Sequence, residues 1–173
     1  MKIAIMGYSG SGKSTLANKL SKYYSCDVLH LDRLFFSQSW AKKSDNERII
    51  EVQHFLEKDE WIIDGNFSRI LYQQRIKEAD KLILLNFNRF SCLYRAYKRY
   101  CVYKKMIRSG IKPECEEKFD LEFIRWMLLE SHSKIQKKRY HEIVTSYPQK
   151  TVVIKSQRQL DIFLNSLQIN DKN

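Results

Sequence analysis

The amino-terminal stretch reads Ile3-Ala4-Ile5-Met6-Gly7-Tyr8-Ser9-Gly10-Ser11-Gly12-Lys13-Ser14-Thr15. Its last nine residues contain the pattern G-x-x-x-x-G-K-[ST], in which a glycine-rich loop joins a buried strand to a helix. The context agrees, because four apolar residues precede the loop and apolar residues recur at helical spacing over residues 14–24. A plain glycine turn would need neither the lysine nor the hydroxyl at these positions. The stretch therefore predicts a strand, a phosphate-binding loop (P-loop) and a helix, in that order.

Each residue type in this loop has a physical reason for its place. Glycines let the backbone wrap around phosphate oxygens with its N–H groups pointing inward, and the helix that follows adds a favourable dipole. Lys13 should reach the β- and γ-phosphates as a catalytic group, and the Ser14 hydroxyl should ligate Mg²⁺. We predict that ATP is held by nine consecutive residues: Gly7, Tyr8, Ser9, Gly10, Ser11, Gly12, Lys13, Ser14 and Thr15.

Composition favours a single globular domain over residues 1–173. The apolar fraction of 43% is ordinary, and a chain of this length can bury a core of its own. The four cysteines lack C-x-x-C spacing, which favours free thiols in a reducing compartment. Only a short apolar run precedes Gly7, and no segment has the apolar length of a membrane span. We therefore expect a cytoplasmic protein with no membrane partner.

The formal net charge of +11 predicts an anionic partner. Nucleotides meet that requirement, and so do DNA, RNA and anionic lipid surfaces. Charge alone does not choose among them, and the sequence leaves the oligomeric state open.

Apolar runs alternate with helical stretches along the chain, which is typical of an α/β fold with a parallel sheet. The candidate strands are residues 2–6, 27–31, 61–63, 81–85 and 151–155. The candidate helices include 45–58, opened by the capping-box pair Ser44 and Glu47, a long helix over 119–140, and a closing helix over 157–167 before a flexible tail at 168–173. We predict a P-loop NTPase fold, a five-stranded parallel sheet flanked by helices, with its ligand at the carboxyl ends of the strands.

Two aspartates are expected where strands end. Asp64 follows Trp61-Ile62-Ile63 and is the candidate for holding Mg²⁺ together with Ser14, although Asp64-Gly65-Asn66 would also suit a turn. Asp32 follows Val28-Leu29-His30-Leu31 and is predicted as a catalytic and acceptor-binding residue. It could help bind Mg²⁺, take a proton from a substrate hydroxyl, or cap the next helix.

Two motifs that the chain lacks also bear on function. No glutamate follows Asp64 to activate a water, and there is no Asn-Lys-x-Asp segment to read guanine. Both absences disfavour a motor ATPase or a regulatory GTPase. Phosphoryl transfer to a bound acceptor fits better, because it depends on positioning and on charge neutralisation.

A basic segment over residues 89–118 is predicted to form a helical lid above the phosphates. Residues 89–112 hold eight lysines and arginines and no acidic residue, and a Gly/Pro turn follows the helical pattern. Arg95 and Arg99 are the predicted catalytic pair from this lid. The tyrosines interleaved here, Tyr94, Tyr97, Tyr100 and Tyr103, would pack under the lid or, alternatively, stack on single-stranded nucleic acid.

The motifs together resemble the DNA topology modulation proteins, which are related to adenylate kinase. The resemblance rests on the P-loop, on Leu-His-Leu-Asp at 29–32, on Trp-Ile-Ile-Asp-Gly-Asn-Phe-Ser at 61–68, on Cys-Leu-Tyr-Arg at 92–95, and on the segments 108–113 and 117–126. It implies a nucleoside-monophosphate-kinase-like fold that uses ATP and Mg²⁺. By the same resemblance, Asp64 corresponds to the aspartate of the adenylate kinase Asp-Gly-Phe-Pro-Arg segment, and Arg69 to its arginine.

The predicted function is an ATP- and Mg²⁺-dependent phosphotransferase acting on a nucleotide or another small acceptor. The acceptor site is placed at Asp32, Arg33, Arg48 and Arg69. Asp32 would matter most for an alcohol, and the arginines for a nucleotide phosphate. The alternative is an ATP-responsive DNA- or RNA-binding protein that influences DNA topology through its basic surface.

Overall fold

The computed structural model describes residues 1–36, 44–109 and 119–168. Within them the predicted five-stranded parallel sheet is confirmed, with strand boundaries within two residues of those expected. The strands are β1 (Lys2–Gly7), β2 (Val28–His30), β3 (Trp61–Asp64), β4 (Lys81–Leu85) and β5 (Thr151–Ile154). Their order across the sheet is β2-β3-β1-β4-β5.

The strand order places β1 at the centre of the sheet. The chain leaves β1 for the edge strand β2, returns to β3 beside β1, and then crosses to β4 on the other side. This reversal opens a crevice at the carboxyl ends of the strands, where ligands bind in open α/β sheets. The residues that follow β1 and β3 therefore meet at one edge of the sheet.

Apolar strand residues form the core. Ile5, Ile62, Ile63, Leu82 and Ile83 are fully buried, as expected for parallel strands covered on both faces. Helix α1 (Lys13–Tyr24) packs against β1, β2 and β3, and buries Leu16, Ala17 and Leu20 at the helical spacing seen in the sequence.

The remaining helices are α2 (Leu31–Phe36), α3 (Asp45–Leu56), α4 (Tyr72–Glu78), α5 (Arg89–Arg108), α6 (Leu121–Arg125), α7 (Lys134–Ser146) and α8 (Gln157–Ser166). The predicted capping box at the start of α3 is present, because the Glu47 amide donates to Ser44 Oγ while Ser44 N–H donates to the Glu47 carboxylate. In the described part of the chain, no helix is both long enough and apolar enough to cross a membrane.

The single long helix predicted over 119–140 is wrong. The chain instead forms α6, a π-helix (Trp126–Glu130), a break, and then α7. Ser133 caps α7 by accepting a hydrogen bond from the Gln136 amide, which competes with continuation of the preceding helix. At the break, His132 turns inward and becomes 6% exposed. The apolar pattern continues across the break, and for that reason it predicted one helix.

Some of the predicted features lie partly or wholly outside the described residues. The basic segment is described over α5 and Ser109, so the predicted Gly/Pro turn and the rest of the predicted lid, residues 110–118, fall outside the described ranges. Residues 169–173 of the predicted tail and Cys115 also lie outside them. Phe36 ends α2, and residues 37–43, which lie between the predicted acceptor residues Arg33 and Arg48, are likewise not described.

Candidate nucleotide and acceptor site

The loop between β1 and α1 needs glycine for conformation and for space. Gly10 and Gly12 have φ angles of 74° and 92°, which other residues rarely adopt. A Cβ on Gly10 would lie 2.4 Å from the Cys92 carbonyl oxygen, and one on Gly12 would lie 3.1 Å from a guanidinium nitrogen of Arg95. The first helix of the basic segment, α5, therefore lies directly against the P-loop.

The P-loop holds polar groups that have the chemistry of an anion site. Ser11 is fully buried, and its hydroxyl has no hydrogen-bond partner among the described residues. Lys13 is 8% exposed, and its Nζ donates to the Tyr8 carbonyl oxygen at 3.0 Å. A buried hydroxyl without a partner is costly unless a ligand or water satisfies it. The loop residues thus fit a nucleotide phosphate.

The two predicted Mg²⁺ ligands lie in contact at the carboxyl edge of the sheet. Ser14 Oγ donates to Asp64 Oδ2 at 2.6 Å, across a gap of 50 residues in sequence. The same Oδ2 lies 3.0 Å from His30 Nδ1, and His30 Nε2 lies 2.9 Å from the Asn18 amide oxygen. The other carboxylate oxygen of Asp64 is buried and has no partner in the described part of the chain. A hydroxyl beside an under-satisfied carboxylate suits Mg²⁺, which prefers oxygen ligands and takes few of them from protein.

Asn66 links the loop after β3 to the start of the P-loop. Its Oδ1 accepts from the Gly7 N–H at 3.1 Å, and its Nδ2 donates to the Gly7 carbonyl at 2.7 Å. The Tyr140 hydroxyl on α7 donates to the same Oδ1 at 3.3 Å. The amide side chain therefore makes a two-point bridge that continues the β1–β3 pairing beyond the sheet. Sequence reasoning read Asn66 only as part of a turn.

Arg75 supports the loop after β3 from beneath. This arginine on α4 is 2% exposed and donates to three backbone carbonyls, those of Ile70 at 3.0 Å, Gly65 at 3.2 Å and Phe67 at 2.5 Å. Burial lowers the pKa of its guanidinium to about 10, so the group stays charged at neutral pH. One buried cation thus sets the path of residues 65–70.

We expect Arg75→Met to destabilise the fold by about 3 kcal/mol, because unmet buried carbonyls cost about 1–3 kcal/mol each and removal of a desolvated charge offsets part of that. Urea unfolding with a fixed m-value measures this difference. Lys77→Met, an exposed cation on the same helix, is the matched control and should stay within about 0.5 kcal/mol of the parent chain. An unchanged midpoint for Arg75→Met would contradict the role assigned to this residue.

A cavity of about 690 Å³ adjoins the P-loop. Lys13 and Asp32 form part of its wall, together with residues of the loop after β3, of α3, of the π-helix and of α7. The lining residues are Lys13, Asp32, Asp45, Ile49, Asn66, Phe67, Ser68, Arg69, Ile70, Trp126, Gln136 and Arg139. Its size is that of a small-molecule site. We call it the acceptor cavity.

Asp32 does not directly follow a strand, contrary to the sequence prediction. Strand β2 ends at His30, helix α2 begins at Leu31, and Asp32 lies in the first turn of that helix. Its carboxylate opens into the acceptor cavity. Burial raises its pKa, and the negative charge of Asp64 adds to the rise, while Lys13, Arg99 and His30 oppose it. Asp32 is also exposed to solvent, so a proton that its carboxylate accepts from a bound hydroxyl can pass on to water.

The predicted arginines occupy different places. Arg69 lines the acceptor cavity, whereas Arg33 and Arg48 do not, and Arg48 pairs with Asp45 at 2.9 Å beside the cavity wall. Arg95 donates to the Ser11 carbonyl at 2.8 Å, also contacts Gln157 of α8, and lies 4.4 Å from the Phe87 ring centroid. Arg99 is exposed on α5, and its positive charge acts to lower the pKa of Asp32.

Sequence reasoning missed several residues of the cavity, notably Phe67, Trp126, Gln136 and Arg139. Trp126 lies within the segment predicted as one long helix, and Arg139 belongs to a basic run, Lys-Lys-Arg at 137–139, so neither residue stands in a motif that marks a binding site. Tyr8 was predicted correctly as a loop residue, but its environment was not. Its ring stacks on His132 with centroids 3.6 Å apart, and burial lowers the pKa of that imidazole.

Comparison of the sequence with protein-family profiles and with curated proteins found no match. Solved structures do match. Shikimate kinase from Acinetobacter baumannii, in complex with shikimate, has a TM-score of 0.62 at 15% identity, over 96% of this chain and 90% of that one. Deoxyadenosine kinase from M. mycoides, with the products dCMP and dCDP bound, has a TM-score of 0.58 at 17% identity, over 97% and 99%.

A gluconokinase from Sinorhizobium meliloti 1021 matches with a TM-score of 0.53 at 15% identity, over 96% of this chain and 89% of that one. At such identities the likeness concerns the fold. The chain has the P-loop NTPase fold of these small kinases, over nearly its full length.

Proposed function

We propose that this protein is an ATP- and Mg²⁺-dependent phosphotransferase that acts on a small molecule bound in the acceptor cavity. The observation that carries the proposal is that one cavity is lined both by Lys13 of the P-loop and by the carboxylate-bearing residue Asp32. A kinase needs its acceptor beside the transferred phosphoryl group, with a group nearby that takes the acceptor proton. Kinases among the structural neighbours support the same class of reaction.

The residues have distinct roles in this proposal. The P-loop amides and Lys13 bind the triphosphate, and Ser14 and Asp64 hold Mg²⁺, which neutralises phosphate charge. Arg95 fixes α5 to the P-loop through the Ser11 carbonyl, and Arg99 lies one turn further along the same helix. Asp32 orients the acceptor and accepts its proton. Asn66 and Arg75 hold the cavity loop in register with the P-loop.

The proposal is tested by following labelled γ-phosphate from ATP into nucleosides, nucleoside monophosphates, sugars and hydroxy acids. We expect the label in one class of small molecule, and we expect transfer to require Mg²⁺. Label that appears only as inorganic phosphate, with every class of acceptor present, would contradict the proposal.

Asp64→Asn should raise the Mg²⁺ concentration needed for half-maximal transfer by about 10- to 100-fold, the range found when groups that tune a metal site are changed. The substitution keeps the shape of the side chain and removes its charge. A Mg²⁺ titration at fixed ATP measures the effect. Asp80→Asn is a suitable control, because Asp80 accepts the Lys2 N–H at the opposite end of the sheet. Equal Mg²⁺ requirements in the parent chain and Asp64→Asn would argue against Asp64 as a ligand.

The resemblance to DNA topology modulation proteins suggests a second candidate function, an ATP-responsive nucleic-acid binder. The basic helix α5 offers some support, since Phe90, Tyr94 and Tyr97 are exposed on it and Lys98 lies 4.8 Å from the Tyr94 ring centroid. Binding to a polymer, however, gives no reason for a cavity beside the P-loop. We therefore place this function second. It predicts polymer affinity that falls steeply with salt, because several phosphates would be contacted.

A further inference from the structure

The acceptor cavity extends from the P-loop to a second cavity of about 780 Å³ between α4 and α7. Ser68 and Arg139 line both cavities, whereas Lys13 and Asp32 line only the first. Ser68 and Arg139 therefore mark the side of the acceptor cavity that faces the second cavity, and Lys13 and Asp32 mark the side that faces the P-loop. A molecule in the acceptor cavity would therefore contact Lys13 and Asp32 at one side, and Ser68 and Arg139 at the other.

Two arginines give the cavity an unused positive charge. Arg69 and Arg139 both line it and are exposed to solvent, and within the described residues neither side chain forms a hydrogen bond or an ion pair. Other arginines near the site are engaged. Arg48 pairs with Asp45, Arg75 binds three carbonyls, and Arg89 donates to the Leu128 carbonyl at 2.7 Å.

Apolar side chains complete the walls between these charges. Ile49, Phe67, Ile70 and Trp126 line the cavity, and the Trp126 side chain remains 39% exposed. Such surfaces suit the carbon skeleton of a compact ligand, while planar guanidinium groups suit carboxylate or phosphate oxygens, which they can bind in bidentate fashion.

We propose that the acceptor is a small hydroxylated anion, whose carboxylate or phosphate ester binds Arg69 and Arg139 and whose hydroxyl receives the phosphoryl group. This inference rests on the proposed function and names its substrate class. The same chemistry is offered by a hydroxy acid and by a sugar monophosphate. It excludes a nucleoside monophosphate that is phosphorylated on its own phosphate group.

The position of Asp32 argues for a hydroxyl rather than a phosphate as the attacking group. An acceptor phosphate in reach of Asp32 would set two anions side by side without a proton to transfer. A hydroxyl, by contrast, has a proton that the Asp32 carboxylate can accept. The hydroxyl oxygen forms a bond to the γ-phosphorus, the bond from that phosphorus to the β–γ bridging oxygen breaks, and its electron pair leaves with ADP. The hydroxyl proton passes to the Asp32 carboxylate and then to solvent.

The test measures labelled transfer from ATP to four groups of compounds at equal concentration. The first holds the hydroxy acids glycerate and gluconate, and the second holds glycerol 3-phosphate and ribose 5-phosphate. The third holds the neutral compounds glycerol and ribose, and the fourth holds AMP and CMP. Phosphorus NMR of the product separates a phosphate ester from a phosphoanhydride. We expect an ester in the first or second group, and whichever reacts identifies the anion.

Variants then connect the anion to the two arginines. Arg69→Gln and Arg139→Gln should each raise KM for the reacting anion by about 10- to 100-fold, the range for loss of a charge-assisted hydrogen bond, and should leave KM for ATP unchanged. Lys138→Gln is the matched control. It removes an exposed cation next to Arg139 that lines neither cavity, and it should alter neither KM.

The outcomes separate the inference from the proposed function. An anhydride product from AMP or CMP, or equal transfer to the neutral compounds, would overturn the inference and leave the kinase proposal standing. Unchanged KM for the anion in both arginine variants would also overturn it. Absence of transfer to all four groups, with ATP binding intact, would overturn the proposed function itself.

Discussion

Replacing Lys13 with alanine is expected to lower kcat/KM for phosphoryl transfer by about 10²- to 10³-fold, the usual loss when one donor to a developing charge is removed. Lys13 is 8% exposed and its ammonium donates within the loop at 3.0 Å to the Tyr8 carbonyl, so it is held where the phosphates are predicted to bind. Because Lys13 is buried, its charge is screened less than that of a surface lysine.

The measurement compares initial rates of transfer in the parent chain and in Lys13→Ala at matched ATP concentrations. Lys22→Ala is the control, because this exposed lysine lies in the last turn of the same helix. Its loss should change activity less than about twofold, since such a charge contributes only about 0.3–1 kcal/mol to the helix. If Lys13→Ala turned over ATP at the parent rate and bound it equally well, the loop would not be a nucleotide site.

Asp32→Asn should reduce kcat by about 10²- to 10⁴-fold, the range for a positioned general base. Burial raises the Asp32 pKa, with Asp64 acting in the same direction and Lys13, Arg99 and His30 against it. The base works only when ionised, so activity should fall as the pH drops through this raised pKa. A pH profile of kcat/KM should therefore show an acid limb above the ordinary aspartate pKa of 3.8.

The same substitution should leave thermal stability nearly unchanged, because Asp32 is exposed to solvent and substitutions at exposed positions usually change stability by less than about 0.5 kcal/mol. A variant that is much less active but melts at the same temperature as the parent chain would support a functional rather than a structural role. Loss of both activity and stability, or an unaltered acid limb, would count against Asp32 as the base.

Local chemistry explains why the positions of the P-loop and of the groups around it could be predicted. Residues 3–24 contain, in order, a strand, the glycines, the lysine, the hydroxyl and a helix. The structure confirms this order, with β1 ending at Gly7 and α1 beginning at Lys13. The sequence also predicted that Ser14 and Asp64 lie together, because the ends of parallel strands meet at one edge of a sheet. In the structure Ser14 Oγ lies 2.6 Å from Asp64 Oδ2. The capping box at Ser44 and Glu47 could be predicted because its two partners are only three residues apart in the sequence.

The acceptor side depends on contacts between segments that are distant in sequence. Asn66 contacts Gly7 and Tyr140, and Trp126 and Arg139 reach the cavity only because the chain breaks between the π-helix and α7. That break turns His132 against Tyr8, a contact that spans more than 120 residues. An apolar periodicity predicts that a segment is helical, but it does not reveal such a change of direction.

The central claim is that the γ-phosphoryl group of ATP reaches a small molecule in the acceptor cavity. The most direct measurement quantifies ADP and phosphorylated acceptor in the same reaction, with a hydroxylated anion present. We predict one phosphorylated molecule for each ADP, with little ADP formed when the acceptor is omitted. ADP formed together with free phosphate at the same rate whether or not an acceptor is present would contradict the claim.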